Sequence, residues 1–241
     1  MKAIVLAAGQ GSRLKPLTDD RPKCMVEYQG KALVDYILET LRTCSIDDIT
    51  LVKGYLADTL VRSGTKNYVN PLYARTNMVY TLFCAQPELN DDVVITYSDI
   101  IYRPNVLESL LACSDDFAVV IDKDWRSLWE SRMENPLEDA ETLKLDTSGF
   151  IKELGKKPSS YSEIEGQYIG LIKISKTAIP AVIDFYHHLD KSEIFDGKDF
   201  DNMYMTSFIQ LIIDRLMPVK AVPIHGGWLE VDCPTDLSLN F

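Results

Sequence analysis

Short apolar runs alternate with helix-like spacing through the first half of the chain. Residues 3–6 are apolar without interruption, and a glycine-bearing loop follows. Leu33, Ile37 and Leu41 recur at four-residue spacing, which predicts a helix over residues 32–41 with one apolar face. Residues 49–52 predict a second strand. Residues 78–85 predict a helix with Thr76 or Asn77 at its N-cap. A third strand is expected at residues 93–95, running out into Ser98 and Asp99. Pro104 suits the first turn of a helix over 104–112, and residues 117–121 predict another strand. Continuous apolar strands separated by helices predict an α/β fold, Rossmann-like, with a mostly parallel sheet covered by helices on both faces. Ligands bind such sheets beyond the carboxyl ends of the strands. The loop after Leu6 and the Asp99 turn both lie at such ends.

The second half is less regular. It predicts a helix over residues 125–133 and a hairpin of residues 143–145 and 150–154 around the turn Asp146-Thr147-Ser148-Gly149. A strand is expected at 167–174 and helices at 176–189 and 205–216. Residues 219–224 and 228–231 are expected to close the sheet, and Pro234 to begin a last short helix. No internal repeat or low-complexity linker interrupts the pattern. The expected organisation is one domain over residues 1–241. Residues 1–122 and 218–241 would form a nucleotide-binding core, and residues 123–217 a smaller, lid-like acceptor-binding insertion.

Composition narrows the field. Of 241 residues, 46% are apolar, enough for a full core. The net charge of −11 repels a phosphate backbone, so nucleic acid is not an expected partner. The five cysteines stand at no C-x-x-C spacing, which predicts free thiols in a reducing compartment. The first strand begins at Lys2, leaving no room for a signal peptide, and no apolar run is long enough to span a bilayer. A soluble cytoplasmic protein with no membrane partner is expected.

The loop Leu6-Ala7-Ala8-Gly9-Gln10-Gly11-Ser12-Arg13-Leu14 carries G-x-G, but Leu14 stands where a dinucleotide fingerprint wants a third small residue. This opposes a nicotinamide dehydrogenase. Glycines let backbone N–H groups approach an anion, and the Arg13 guanidinium can fork onto phosphate oxygens. A plain strand-to-helix turn would read the same from this much. Eight residues after Leu14 comes Pro22-Lys23. The whole ordered stretch from Leu6 to Lys23 resembles the signature of the sugar-phosphate nucleotidyltransferase superfamily, and the resemblance continues through Asp99 and Asp232.

That resemblance implies an enzyme that binds NTP and Mg²⁺ and transfers a nucleotidyl group to a phosphorylated acceptor. It implies that Leu6, Ala7, Ala8 and Gly9 line the nucleoside, with Asn77 and Ser98 nearby. Gly11 and Arg13 would hold the β- and γ-phosphates, and Lys23 would bridge the α-phosphate and the acceptor phosphate. The continuation Lys23-Cys24-Met25-Val26 resembles cytidylyltransferases of the phosphocholine type, so CTP is the expected nucleotide. The stretches from Asn135 to Lys144, Glu153 to Lys157, Gln167 to Gly170 and Met203 to Phe208 resemble a branch acting in capsule or cell-surface polysaccharide modification. Its acceptor would be L-glutamine phosphate. Association into a homodimer is compatible with this reading.

Asp99 and Asp232 each end an apolar strand, so they can meet across a sheet despite their separation. Mg²⁺ takes one or two carboxylates plus phosphate and water oxygens, and the family places its metal on equivalents of these two residues. Each could instead cap a following turn. The acceptor phosphate is largely dianionic near neutral pH, with a second pKa of about 6, and can attack without a protein base. Lys23, Arg13, Asp99 and Asp232 are therefore the catalytic candidates, and their task is electrostatic.

For the acceptor, Trp125, Trp129 and Arg132 fall on one helix face, either in the core or in the cleft. Arg126 and Arg132 would suit an acceptor carboxylate, whereas an aromatic cage with acidic residues would suit a quaternary ammonium. Lys156 and Lys157 lie where the sugar enzymes hold acceptor phosphate, or form a solvated turn; Tyr168 is a further acceptor-side candidate. Phosphocholine, 2-aminoethylphosphonate and a sugar 1-phosphate are alternative acceptors. A non-catalytic nucleotide-binding regulator is the alternative of another class.

Overall fold

The computed structural model describes residues 1–240. A seven-stranded sheet forms the centre. Its order is Lys220–Ile224, Phe117–Asp122, Gln167–Ile174, Val93–Tyr97, Lys2–Ala7, Ile49–Lys53 and Thr65–Val69. All neighbours run parallel except Gln167–Ile174, which is antiparallel to both of its partners.

Alternation along the central strand divides the core. Ile4 and Leu6 face one apolar layer, while Ala3, Val5 and Ala7 face the other. Side chains of a strand point to opposite faces in turn, so a strand buried on both sides reads as one continuous apolar run. The first layer holds the helices Met78–Cys84, Ile179–His188 and Met205–Arg215. The second holds Leu33–Thr43, Pro104–Ala112 and Trp125–Arg132. Asn77 is the N-cap of the Met78–Cys84 helix, its side chain accepting from the Met78 N–H at 2.8 Å.

Two expectations are corrected. The strand Trp228–Glu230 does not join the sheet; it pairs antiparallel with Ile100–Tyr102 in a separate ribbon. The edge strand Thr65–Val69, absent from the sequence expectation, is largely solvent-facing and polar, so it lacks the apolar run that marks its neighbours. The 123–217 segment lends Gln167–Ile174 to the sheet itself, and its hairpin, Leu143–Leu145 with Ile151–Leu154, packs on the Met205–Arg215 helix.

Candidate active site

The loop after Lys2–Ala7 wraps around one lysine. Gly11 has a positive φ of 70°, and a Cβ there would stand 2.8 Å from Lys23 Cγ, so only glycine fits both the backbone and the space. The Lys23 N–H donates to the Gly9 carbonyl at 3.3 Å, and the Thr18 hydroxyl donates to the Gly11 carbonyl at 2.9 Å. The lysine stem is thereby buried and its ammonium aimed in one direction.

That ammonium lies between two carboxylates. Lys23 Nζ donates to Asp99 Oδ2 at 2.7 Å and to Asp232 Oδ1 at 2.7 Å. Arg13, otherwise exposed, pairs with the second oxygen of Asp232. The ribbon explains the meeting: Asp99 precedes Ile100–Tyr102, Asp232 follows Trp228–Glu230, and the Val231 N–H donates to the Asp99 carbonyl at 2.9 Å. Burial disfavours the charged form of Lys23, but Asp99, Asp232 and Glu230 outweigh it and raise its pKa.

The other oxygen of Asp99, Oδ1, is buried without a hydrogen-bond partner. A carboxylate oxygen shielded from water and lacking a donor fits a cation ligand. Among the described residues no group of three or more His, Cys, Asp or Glu side chains forms a closed cage. A divalent cation on Asp99 and Asp232 would thus complete its shell with phosphate and water oxygens, the usual habit of Mg²⁺.

Two clefts open on either side of Tyr97. The first, of about 580 Å³, is lined by Leu6, Ala8, Gly9, Asn77 and Ser98, with Lys23 and Asp99 at one end. Ala7, expected beside them, has its side chain turned into the opposite core layer by strand alternation. Gly11, expected at the β- and γ-phosphates, packs on the lysine stem outside this lining. Tyr73, Thr81 and Tyr97 also line this cleft. Of these, Tyr73 lies in a short 3₁₀ turn with no periodic signal.

The second cleft, of about 750 Å³, is bounded by Trp129, Tyr168, Tyr204 and Trp228 and by the carboxylates Asp139, Glu141 and Glu230. Tyr97 borders both clefts. It can stand there because Gly170 has φ 87° and a Cβ at that position would fall 2.5 Å from its ring. Burial, reinforced by Asp139, Asp196 and Glu230, pushes Glu141 up to about 7. The Tyr168 hydroxyl is buried, and burial raises its pKa.

No lysine or arginine among the described residues lines this second cleft, and the four cations expected on the acceptor side lie elsewhere. Arg126 is exposed, paired with Glu130 at 2.7 Å and stacked over Tyr161. Arg132 is buried, but its guanidinium is taken by Glu230 at 2.8 Å and Asp236 at 3.0 Å. Lys156 and Lys157 are exposed; one lies 3.9 Å from Glu153, and the other donates to the Glu138 carbonyl. Helical spacing told which residues share a face, but not which charges already had partners. Trp129 is both core and wall: its indole N–H donates to Asp139 at 3.0 Å while the ring borders the cleft. Asp139, Glu141 and Glu230 were missed because single carboxylates in an acidic chain carry no local signal.

A glycine loop at the carboxyl end of the central strand, with a lysine held between Asp99 and Asp232, is the arrangement expected of a nucleotidyltransferase. Residues 3–156 match the family model of the MobA-like NTP transferase domain, and the chain belongs to that family. Over its full length it is 48% identical to CTP:phosphoglutamine cytidylyltransferase of Campylobacter jejuni, with 100% of this chain and 99% of that protein aligned. It is 35% identical to choline-phosphate cytidylyltransferase of Streptococcus pneumoniae over 49% of this chain and 53% of that protein. The fold is shared with the inositol-1-phosphate CTP transferase of T. maritima, at a TM-score of 0.76 and 24% identity, covering 99% of this chain and 91% of that one. No helix among the described residues is long and apolar enough to cross a membrane.

Proposed function

We propose that this protein is a cytidylyltransferase that joins the CMP part of CTP to L-glutamine phosphate and releases pyrophosphate. The observation that carries the reading is the full-length 48% identity to the Campylobacter jejuni CTP:phosphoglutamine cytidylyltransferase. The geometry supports it: Lys23 and Asp99 lie at the end of the first cleft, and Asp232 lies against Lys23. The nucleotide takes the first cleft and the acceptor the second.

An oxygen of the acceptor phosphate attacks the α-phosphorus of CTP, a new P–O bond forms, and the bond to the β-phosphate oxygen breaks. No protein base is needed, because the attacking phosphate is already largely deprotonated near neutral pH. The chain's work is to bring two anions together and to hold cations where charge accumulates. Lys23 is suited to contact both reacting phosphates, being fixed by the loop and fully charged. Arg13, exposed and paired with Asp232, would exchange that partner for the departing pyrophosphate. Asp99 and Asp232 would hold Mg²⁺, which when bound would offset the negative charge of the triphosphate.

The second cleft reads as a site for a cation. Aromatic faces attract an ammonium, and Asp139, Glu141 and Glu230 supply negative potential. The α-ammonium of glutamine phosphate fits this chemistry. The same chemistry supports phosphocholine as a second reading, since its acceptor also carries a cation. A matrix of four NTPs against phosphorylated acceptors, read by pyrophosphate release, tests the proposal. CTP with L-glutamine phosphate should give the highest kcat/KM. Higher turnover with phosphocholine would transfer the assignment to the second reading, and no release from any pair would favour a nucleotide-binding regulator.

A further inference from the structure

The Arg132 side chain does not line the second cleft, yet it sits at the junction of both halves of the site. Its guanidinium forks onto Asp236, with Nε 3.0 Å from Oδ1 and Nη2 3.3 Å from Oδ2, and Nη1 reaches Glu230 at 2.8 Å. Asp236 is completely buried. Its Oδ2 accepts the backbone N–H of Asp232 at 2.8 Å and of Cys233 at 2.9 Å. These donors, with Arg132, hold the Asp236 carboxyl below its usual range although burial opposes it.

We infer that Arg132 and Asp236 are positioning residues that set the Asp232 carboxylate against Lys23. The chain of contacts is short: the arginine holds the Asp236 carboxylate, and that carboxylate holds the backbone of Asp232. The strand ends at Glu230 and the Val231 N–H still reaches the Asp99 carbonyl, but the N–H groups of Asp232 and Cys233 have no backbone acceptor. A carboxylate that captures the Asp232 and Cys233 N–H groups replaces the ladder at this point. The same guanidinium fixes Glu230, a wall of the second cleft, and lies 5.6 Å from the ring of Trp129, another wall. One buried cation thereby ties the acceptor wall to a carboxylate of the reaction centre. Outer partners of this kind set ligand orientation without touching substrate.

This inference rests on the nucleotidyltransferase reading for its kinetic test, and the other readout does not. Asp236→Asn keeps an oxygen for the two N–H groups but loses the charge that binds Arg132; Arg132→Lys keeps charge but loses the fork. For both variants, kcat and KM for CTP are measured by pyrophosphate release, together with melting temperature and hydrogen–deuterium exchange of the amides of Asp232 and Cys233. In Asp236→Asn the expected result is a fall in kcat of roughly 10–100-fold with CTP KM nearly unchanged. Exchange at those amides should be faster in a protein that still melts cooperatively. Arg132→Lys should recover part of the loss. Unchanged amide protection in Asp236→Asn would overturn the inference whether or not the protein proves to be a cytidylyltransferase. So would wild-type kcat with protection lost. If a variant does not fold, Arg132→Gln combined with Asp236→Asn removes both charges together, and the same two readouts decide.

Discussion

Lys23 Nζ stands 2.7 Å from Asp232 Oδ1, across 209 positions of sequence. A third group, Asp99, shares the ammonium at the same distance of 2.7 Å. The centre is thus a buried cation between two anions, and each member is fixed by a different part of the fold: a glycine loop, a strand end and a ribbon.

Lys23→Met removes the ammonium proposed to be shared by both reacting phosphates. The expected loss in kcat is roughly 10²–10³-fold, with CTP binding only modestly weaker. Because Asp99 loses its cation and Asp232 keeps only the exposed Arg13, stability should also fall, by about 3 kcal/mol. Steady-state kinetics and urea unfolding check the two parts. A variant that loses CTP affinity at unchanged kcat would place Lys23 on the triphosphate alone.

Asp99→Asn and Asp232→Asn should each lower kcat by roughly 100-fold or more while the circular dichroism spectrum stays native. EDTA should abolish turnover and Mg²⁺ should restore it. Near-normal activity in either variant, or turnover in EDTA, would remove the metal from these residues.

Glu141 should impose a pH dependence on acceptor use. Its pKa of about 7 means that it is neutral on the acid side and attracts an ammonium only once ionised. KM for L-glutamine phosphate should therefore fall as pH rises through about 7, and Glu141→Gln should flatten that profile. Burial is the first cause of this titration, with Asp139, Asp196 and Glu230 adding to it and a hydrogen bond with Thr206 opposing it. The effect on stability has the opposite sense. The folded value lies above the ordinary 4.5, so stability present below that pH is lost as pH rises toward about 7. Thermal melts across this range, compared with Glu141→Gln, separate the two effects. The comparison also removes the contribution of the acceptor phosphate, which titrates in both proteins.

Arg126→Ala should change acceptor kcat/KM by less than about twofold. An exposed pair of the kind that Arg126 makes with Glu130 contributes about 0.3–0.5 kcal/mol. Trp129→Ala should raise acceptor KM far more, since it strips an aromatic wall from the second cleft. Equal effects of the two substitutions would show that the acceptor lies along the outer face of the helix.

The sequence by itself determined six of the seven strands of the sheet, Gln167–Ile174 among them, the helix over Pro104–Ala112, and the loop that marks the nucleotide end. These are carried by short-range patterns: continuous apolar runs, four-residue spacing, and glycines followed by a basic residue. It also marked Asp99 and Asp232 as strand-end carboxylates, because burial beside them is written in the neighbouring residues. Only the tertiary structure decided where charges find partners. Arg132 reads as a free cation in sequence because Asp236 is 104 positions away. Arg126 reads the same way, although its partner is one turn off, because spacing does not say which face meets the cleft. Ala7 follows Leu6 in an apolar run, and the strand's alternation sends the two to opposite layers. The ribbon of Ile100–Tyr102 and Trp228–Glu230 was illegible for the same reason. Its pairing is a long-range choice that local propensity does not encode, and it is what brings the two carboxylates onto one lysine.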